Sequence, residues 1–483
     1  MSILNSLEPR NVLGFFEKLS SVPHGSGNTK EISDICVKFA EERNLRYYRD
    51  EAGNVIIYKD ASAGVVSDNP VIIQGHLDMV CVKTQDCDKN LLIDPIDILT
   101  DGKYIWADKT SLGADDIIAV AIAMAILDDD TLVHPPICAV FTVDEETSML
   151  GAKSLDKSKI TGNRMINIDS EEESFITCGC AGAIRAGCSF DIRREYVCDD
   201  DIFYRINVDN LLGGHSGADI AYNRGNAIRL LARLIYGLSL KWNIRLCEFR
   251  GGQFDNAIPS AAEAVVAVPE SSYKEFESLA MKHQKLFRFE YKESDPDVRV
   301  VLSRDFGCIT QCVSHEQTKA VMRCISSVPD GLRKFNDTFR VPSVSSNIGL
   351  AELSQTSFRF TSLIRSNEPG QKEEIYEMIK AMIEHDGGRI RIENQYPEWR
   401  YREDSDMIRI CKESYKELFN KDISVTITHG GVECAVFSDS LPEPDIISIG
   451  PDITDIHSPR EKVSVESIGR VYRLTCDILR RLS

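Results

Sequence analysis

At 483 residues the chain is too long for one hydrophobic core, so two or three domains are expected. Its composition is that of an ordinary globular protein, 43% hydrophobic and 27% charged, with no long biased tract. A net charge of −19 argues against a nucleic-acid partner and against an anionic membrane surface, although local arginines can still take anionic groups.

No apolar run approaches the roughly 20 residues of a membrane span. Met1–Glu8 has no basic stretch followed by an apolar one. The 15 cysteines are odd in number and scattered, which fits a reducing compartment, and a cytoplasmic protein is expected. Cys178-Gly179-Cys180 is not the CxxC of zinc ribbons.

Residues 9–20 and 29–43 read as helices, with Phe15, Phe16 and Leu19 on one and Ile32, Ile35, Val37 and Phe39 on the other. Ser21–Gly27 between them is a loop by its Pro and Gly content. Strands are expected at Asn54–Tyr58 and at Val71–Gly75, the latter buried and parallel. That second strand ends in His76 and, two residues on, Asp78, which alternation puts on one side.

Residues 82–112 read as irregular, with a hairpin-like turn at Asp101-Gly102. A strongly apolar helix follows from Ile117 to Leu127, and Asp115 and Asp116 sit at its start. Acids there suit the helix dipole, so a capped helix end is one reading of the pair. Pro136–Val143 is a buried strand that runs into Asp144-Glu145-Glu146. Three adjacent acids repel one another. Either they face water, or a divalent cation removes the repulsion. Arg164–Asp169 repeats the pattern and is followed by Glu171–Glu173. In open α/β sheets, ligand-binding groups gather at the carboxyl ends of the strands, so four such ends suggest one site.

From Ala183 strands dominate, at Ile184–Phe190, Phe203–Val208, Ile244–Phe249 and Ala264–Val268. Helices intervene at 224–239, 271–286, 316–327 and 371–385. We read an inserted α+β domain, doubled into halves at about 183–295 and 296–395. Near Tyr396–Trp399 the chain returns to the first domain. The helix Met407–Phe419, the strands Ser424–Thr428 and Ile446–Ile449, the turn Gly450-Pro451-Asp452 and a last helix from Ser464 to Leu482 follow. His457, after that turn, is the fifth candidate. The fold class is therefore α/β: residues 1–182 and 396–483 form one domain on a mixed, largely parallel sheet, and 183–395 form the α+β insertion.

His76, Asp115, Glu146, Asp169 and His457 suffice for two divalent ions if one carboxylate bridges. Mixed N/O donors without thiolate suit Zn²⁺, with Mn²⁺ or Co²⁺ tolerated. Two such ions share a water, lower its pKa and polarise a carbonyl. Asp78 is placed to reach back to the second nitrogen of His76 and fix its tautomer. Glu145, beside a ligand, is placed to take the water's proton and pass it to a leaving amine.

Six motifs occur in order: Gly-His-Leu-Asp-Met-Val (75–80), Leu-Gly-Ala-Asp-Asp (112–116), Asp-Glu-Glu-Thr-Ser-Met-Leu-Gly-Ala (144–152), Asn-Ile-Asp-Ser-Glu-Glu-Glu (167–173), Gly-Gly-His-Ser-Gly (213–217) and His-Ser-Pro (457–459). Together they resemble the M20 clan of co-catalytic zinc peptidases, and within it the aminoacyl-histidine dipeptidases. The resemblance spans nearly the whole chain. It implies hydrolysis of dipeptides of broad specificity, Xaa-His included. Aminoacylase-like amidases and tripeptidases of the clan are the neighbouring readings, and a non-catalytic binding homologue is a more distant one. It further implies that Asp115 bridges, that Glu145 is the general base and that Asp78 orients His76. The insertion becomes a lid whose doubling mimics a dimer interface. His215 becomes an oxyanion donor. Asn256, in Gly251–Pro259, resembles a polar contact to substrate, and Arg365 is the candidate for the substrate carboxylate. Glu433, in Gly-Gly-Val-Glu-Cys, is assigned to the substrate ammonium or to a neighbour of the metal site. A homodimer is expected from the resemblance alone. One departure stands out: the family usually has Asn-Gly after the bridging aspartate, where this chain has Asp116-Ile117. The peptide bond at that point is often cis in the clan.

Overall fold

Val71–His76 is buried along its whole length, and the β-branched Val71, Ile72 and Ile73 fill both faces of its first half. It lies near the middle of an eight-stranded sheet. The order is Arg46–Arg49, Val55–Lys59, Ile137–Thr142, Val71–His76, Arg164–Asn167, Asp445–Ser448, Phe175–Cys180 and Ser424–Thr428. The computed structural model describes residues 3–483, apart from the side chain of Ser148. Parallel pairing joins Ile137–Thr142 to Val71–His76, that strand to Arg164–Asn167, and Arg164–Asn167 to Asp445–Ser448. The flanking pairs are antiparallel where Val55–Lys59 and Phe175–Cys180 join the sheet. Three successive parallel pairs thus join the four central strands of this mixed, largely parallel sheet, and their carboxyl ends open on one edge.

The helix Ala114–Asp128 is apolar all round, and Ile117–Leu127 are buried, as befits a core element rather than an amphipathic surface one. Asp115 and Asp116 have non-helical backbone angles and are joined by a cis peptide bond. Residues 82–112 are less irregular than expected. The strands Ile98–Thr100 and Tyr104–Ala107 form an antiparallel hairpin across Asp101-Gly102. The hairpin continues into a four-stranded sheet with Lys462–Ser464 and Ile453–Thr454. That small sheet closes the loop 455–461, which carries His457, at its two ends.

The chain divides into two compact units, 1–180 with 399–427 and 432–483, and 181–398 with 428–431. Residues 428–431, expected in the first domain, cluster instead with the second unit. His429 explains this: its ring bonds Ser345 Oγ at 2.7 Å and Asn367 Oδ1 at 3.0 Å.

The second unit holds a nine-stranded antiparallel sheet. Its chain order differs from the expected halves at 183–295 and 296–395. One β-α-β-β-α-β module consists of Asp201–Asp209, Ala227–Ser239, Arg245–Gly251, Ala262–Pro269, Tyr273–Glu290 and Arg299–Asp305. Its strands lie in the order fourth, first, third, second. The other module starts with Gly182–Asp191 and resumes with His315–Ser327, Val341–Leu353, Ser357–Ser366, Gln371–His385 and Arg389–Tyr396, in the same strand order. The first module is therefore nested inside the second, between its first strand and first helix. The two meet through their second strands, Arg250 opposite Glu352 and Gly251 opposite Ala351. They share one core, in which Phe249 of the inner module packs on Phe358 of the outer with centroids 5.2 Å apart. Among the described residues no helix is long and apolar enough to cross a membrane.

Candidate metal centre

The carboxyl ends of the parallel strands deliver the acids and histidines to one place. His76 closes its strand, and its Nε2 lies 3.1 Å from Asp115 Oδ1 and 3.5 Å from Asp169 Oδ1. Asp169 follows Arg164–Asn167 by two residues. The other Asp115 oxygen, Oδ2, lies 3.2 Å from His457 Nε2, which is also 2.8 Å from Glu146 Oε1. Asp115 thus faces one imidazole with each oxygen. His457 and Asp455 both hold left-handed backbone angles, φ 55° and 54°. Such angles are uncommon for residues other than glycine and are tolerated where surrounding structure compels them.

His76, Asp115 and Glu146 offer donor atoms within 4.8 Å of one another, and so do His76, Asp116 and Asp169. Asp116 has a different task. Its Oδ2 accepts the backbone N–H of His76 at 3.1 Å and lies 2.7 Å from where a Cβ on Gly75 would sit. It is packed beneath the strand, while Asp115 meets the ring of His76. The donor chemistry of two imidazoles and three carboxylates, without a thiolate, fits divalent metal ions.

The electrostatics carry the same message. Burial works to raise the Asp115 carboxyl, but hydrogen bonds from His457 and His76 outweigh it and hold the group below its usual range. Burial works to lower His457, and the bonds to Asp115 and Glu146 override it and raise the ring to about 11. Burial lifts Glu146 to about 7, helped by Asp115. Asp169 is lifted to about 6 by burial, against the pull of His76. Glu145 is raised well above its usual value by burial, with Asp169, Glu146 and Glu433 adding to it. A cluster of acids this crowded is relieved by cations.

Asp78 sits under both halves of this arrangement. The Nδ1 of His76 donates to its backbone carbonyl at 2.9 Å, while its nearer carboxylate oxygen is 3.5 Å away. The main chain of Asp78, more than its side chain, therefore fixes the tautomer of His76. The carboxylate accepts from Glu145 N at 3.0 Å, Glu146 N at 3.3 Å and Ser26 Oγ at 2.8 Å. It holds the start of the short helix Glu145–Ser148, and with it both glutamates.

Glu433, read in sequence as a contact to the substrate ammonium or as a neighbour of the metal site, meets side chains of the strands that carry the site. It is fully buried, and its Oε2 accepts from Gln74 Nε2 at 2.7 Å and Thr142 Oγ1 at 2.5 Å. Burial pushes its carboxyl up to about 7. It belongs to a polar chain beneath the centre, in which Gln74 in turn accepts from Asn167 Nδ2 at 2.6 Å. Two other acids were not singled out in sequence. Glu171 lies close enough to Asp115 and Asp169 for their charges, after burial, to lift it to about 8. Glu461 gathers backbone N–H groups from the loop before Asp115. Neither follows a strand directly, so the pattern of strand-end acids does not reveal them.

The remaining candidates lie in the second unit. His215 is held by the two-residue pairing of Gly214–His215 with Ala257–Ile258. Its Nδ1 accepts the backbone N–H of Ala218 at 3.1 Å, so in the neutral ring the proton sits on Nε2, a donor. Asn256 is exposed, and its carbonyl accepts from Ser216 N at 2.8 Å. Arg365 is 5% exposed, its Nη1 donates to Tyr396 OH at 3.0 Å, and its buried Nε has no hydrogen-bond partner. Burial, then the charges of Arg365 and His215, depress His429 to about 3.

The profile described as peptidase family M20/M25/M40 matches residues 72–481. The cytosol non-specific dipeptidase of Escherichia coli (strain K12) is 33% identical, over 100% of this chain and 99% of its own. The crystal structure of aminoacylhistidine dipeptidase from Vibrio alginolyticus superposes with a TM-score of 0.85 at 31% identity, covering 99% of this chain and 98% of that one. A tripeptidase from Staphylococcus aureus, at 15% identity and a TM-score of 0.56 over 99% of both chains, shares the fold.

Proposed function

The chain belongs to peptidase family M20/M25/M40, and from that premise we propose that it is a metal-dependent dipeptidase of broad specificity, Xaa-His dipeptides included. The observation that carries the reading is Asp115, whose two oxygens each face a histidine flanked by a further carboxylate. His76, Asp169 and Asp115 would hold one divalent ion, and His457, Glu146 and Asp115 the other, with Zn²⁺ favoured and Mn²⁺ or Co²⁺ admitted. When bound, such ions polarise the scissile carbonyl and make water a better nucleophile near neutral pH.

Glu145 takes the proton from the attacking water on its carboxylate and returns it to the nitrogen of the departing amino acid. Asp78 orients His76 through its carbonyl and Glu145 through its carboxylate. His215 supplies its Nε2–H to the developing oxyanion, Asn256 contacts the peptide, and Arg365 takes the terminal carboxylate. A buried guanidinium nitrogen without a partner supports the last assignment. The name of the Escherichia coli relative supports a cytosolic location.

The test is metal analysis beside hydrolysis of free dipeptides. Two ions per chain and chelator-sensitive cleavage of dipeptides, with N-acylated amino acids and tripeptides cut more slowly, are the expected outcomes. A protein that binds no metal, or that prefers an acylated or longer substrate, refutes the assignment.

A further inference from the structure

Four backbone N–H groups converge on one carboxylate beside the metal centre. Glu461 Oε2 accepts from Leu112 N at 2.9 Å and Gly113 N at 3.1 Å, and Oε1 from Ala114 N at 2.8 Å and, more weakly, Asp115 N at 3.4 Å. The convergence depends on Gly113, whose φ of 70° turns successive amides toward one point, forming a backbone nest for an anion. A Cβ at that position would lie 2.7 Å from Met79 Sδ. Glu461 is 2% exposed, so these amides have little access to water as an alternative.

The other end of the clamp is His457. Glu461 follows it by four residues in the loop closed by the pairing of Ile453 with Val463 and Thr454 with Lys462, and its own N–H donates to Ser458 O at 3.1 Å. One side chain therefore ties together two segments 342 positions apart, at the point where His457 Nε2 meets Asp115 Oδ2 at 3.2 Å.

We propose that Glu461 is a positioning residue that sets the bridging carboxylate of Asp115 against His457 and so governs the binding of both metal ions at once. The inference rests on the dinuclear reading above. It differs from a merely structural role in a specific way. A ligand to one ion, such as Glu146, weakens chiefly one binding step. A residue that acts through the shared Asp115 weakens both. Glutamine has nearly the shape of glutamate, but its amide NH₂ is a donor and turns an N–H toward the amides it should receive. Groups that orient metal ligands typically contribute about 10- to 100-fold to metal affinity.

The experiment loads chelator-stripped protein with Co²⁺, follows the visible absorption of the bound ion and measures both binding steps against a chromophoric competitor. Circular dichroism and thermal melting of the metal-free proteins are recorded alongside. The expected result is two Co²⁺ per wild-type chain, and both steps weakened tenfold or more in Glu461→Gln with an altered Co²⁺ spectrum. Glu461→Asp, which keeps the charge on a shorter arm, should fall between the two. Arg460→Ala, an exposed neighbour in the same loop, should match wild type. Wild-type affinity and spectrum in Glu461→Gln, or the loss of one step only, overturns the proposal. Should Glu461→Gln not fold, Glu461→Asp decides: both steps measurably weaker than wild type supports the proposal, and a change in one step or in neither overturns it. A wild-type chain that fails to take up two Co²⁺ sinks the dinuclear reading itself, an outcome separate from any behaviour of the variants.

Discussion

Glu145 and Glu146 are adjacent in sequence and share one anchor, since the Asp78 carboxylate accepts both of their backbone N–H groups. Their side chains nonetheless divide the work. Glu146 meets His457 at 2.8 Å, whereas Glu145 has no ligand role in our assignment. Glu145→Gln is therefore expected to keep both metals while kcat falls by about 10²- to 10⁴-fold, read by metal content and steady-state rates on the same sample. Asp78→Asn turns an amide NH₂ toward donors that need an acceptor. It should weaken metal binding and kcat/KM by about 10- to 100-fold, measured by chelator competition and initial rates. At this scale the candidate ligands stood out because an acid or histidine at the end of a buried strand is anomalous and invites a cause, and the structure brings five of them together. Glu461 and His429 were not legible, because their partners are backbone amides, a serine and an asparagine that no pattern of charges announces.

Between strand and helix, the tightest approach near the centre is at Gly75. An added Cβ would lie 2.5 Å from Ala119 Cβ and 2.7 Å from Asp116 Oδ2. Gly75→Ala must push the helix Ala114–Asp128 off the strand, and overpacking of this kind costs about 1–3 kcal/mol. The expected signature is a lower urea midpoint accompanied by weaker metal binding, since Asp115 starts that helix. In the second unit the segment 428–431 is fastened by a buried neutral imidazole, that of His429. Its folded pKa of about 3 lies below the ordinary 6.5, so between these values the unfolded chain binds a proton that the folded chain does not. Stability is therefore lost as pH falls from 6.5 toward 3, at about 1.4 kcal/mol per pH unit. Between pH 7 and pH 5 the wild type should lose about 2 kcal/mol more than His429→Gln, read by hydrogen exchange of the second unit at the two pH values. Most individual elements were legible from their periodicity, as the all-apolar run Ile117–Leu127 illustrates. The pairing within the second unit was not, because both modules alternate strands and helices alike, and sequence order carries no record of which strand waits for which partner.

For the molecule as a whole, metal is expected to act as a stabilising ligand as well as a catalytic cofactor. Ions that bind only the folded chain add about 4 kcal/mol each when present at a thousand times their dissociation constant. Chelation should abolish dipeptide hydrolysis and lower the melting temperature by several degrees. Zn²⁺, Mn²⁺ or Co²⁺ should restore both, and calorimetry of the stripped and reloaded protein checks the prediction.

The nesting of one module inside the other also sets the order in which a ribosome can finish this protein. The strand Gly182–Asp191 emerges long before Ser357–Ser366 and Arg389–Tyr396, the two strands that flank it in the sheet. The inner module, 201–305, has all four of its strands as soon as its own segment is made. The outer strand must spend that interval with both edges unpaired, the state in which strands join the wrong neighbour. The growing chain is thus most exposed to aggregation after the inner module is complete and before residue 366 has left the exit tunnel, and that is the window in which a chaperone would matter most.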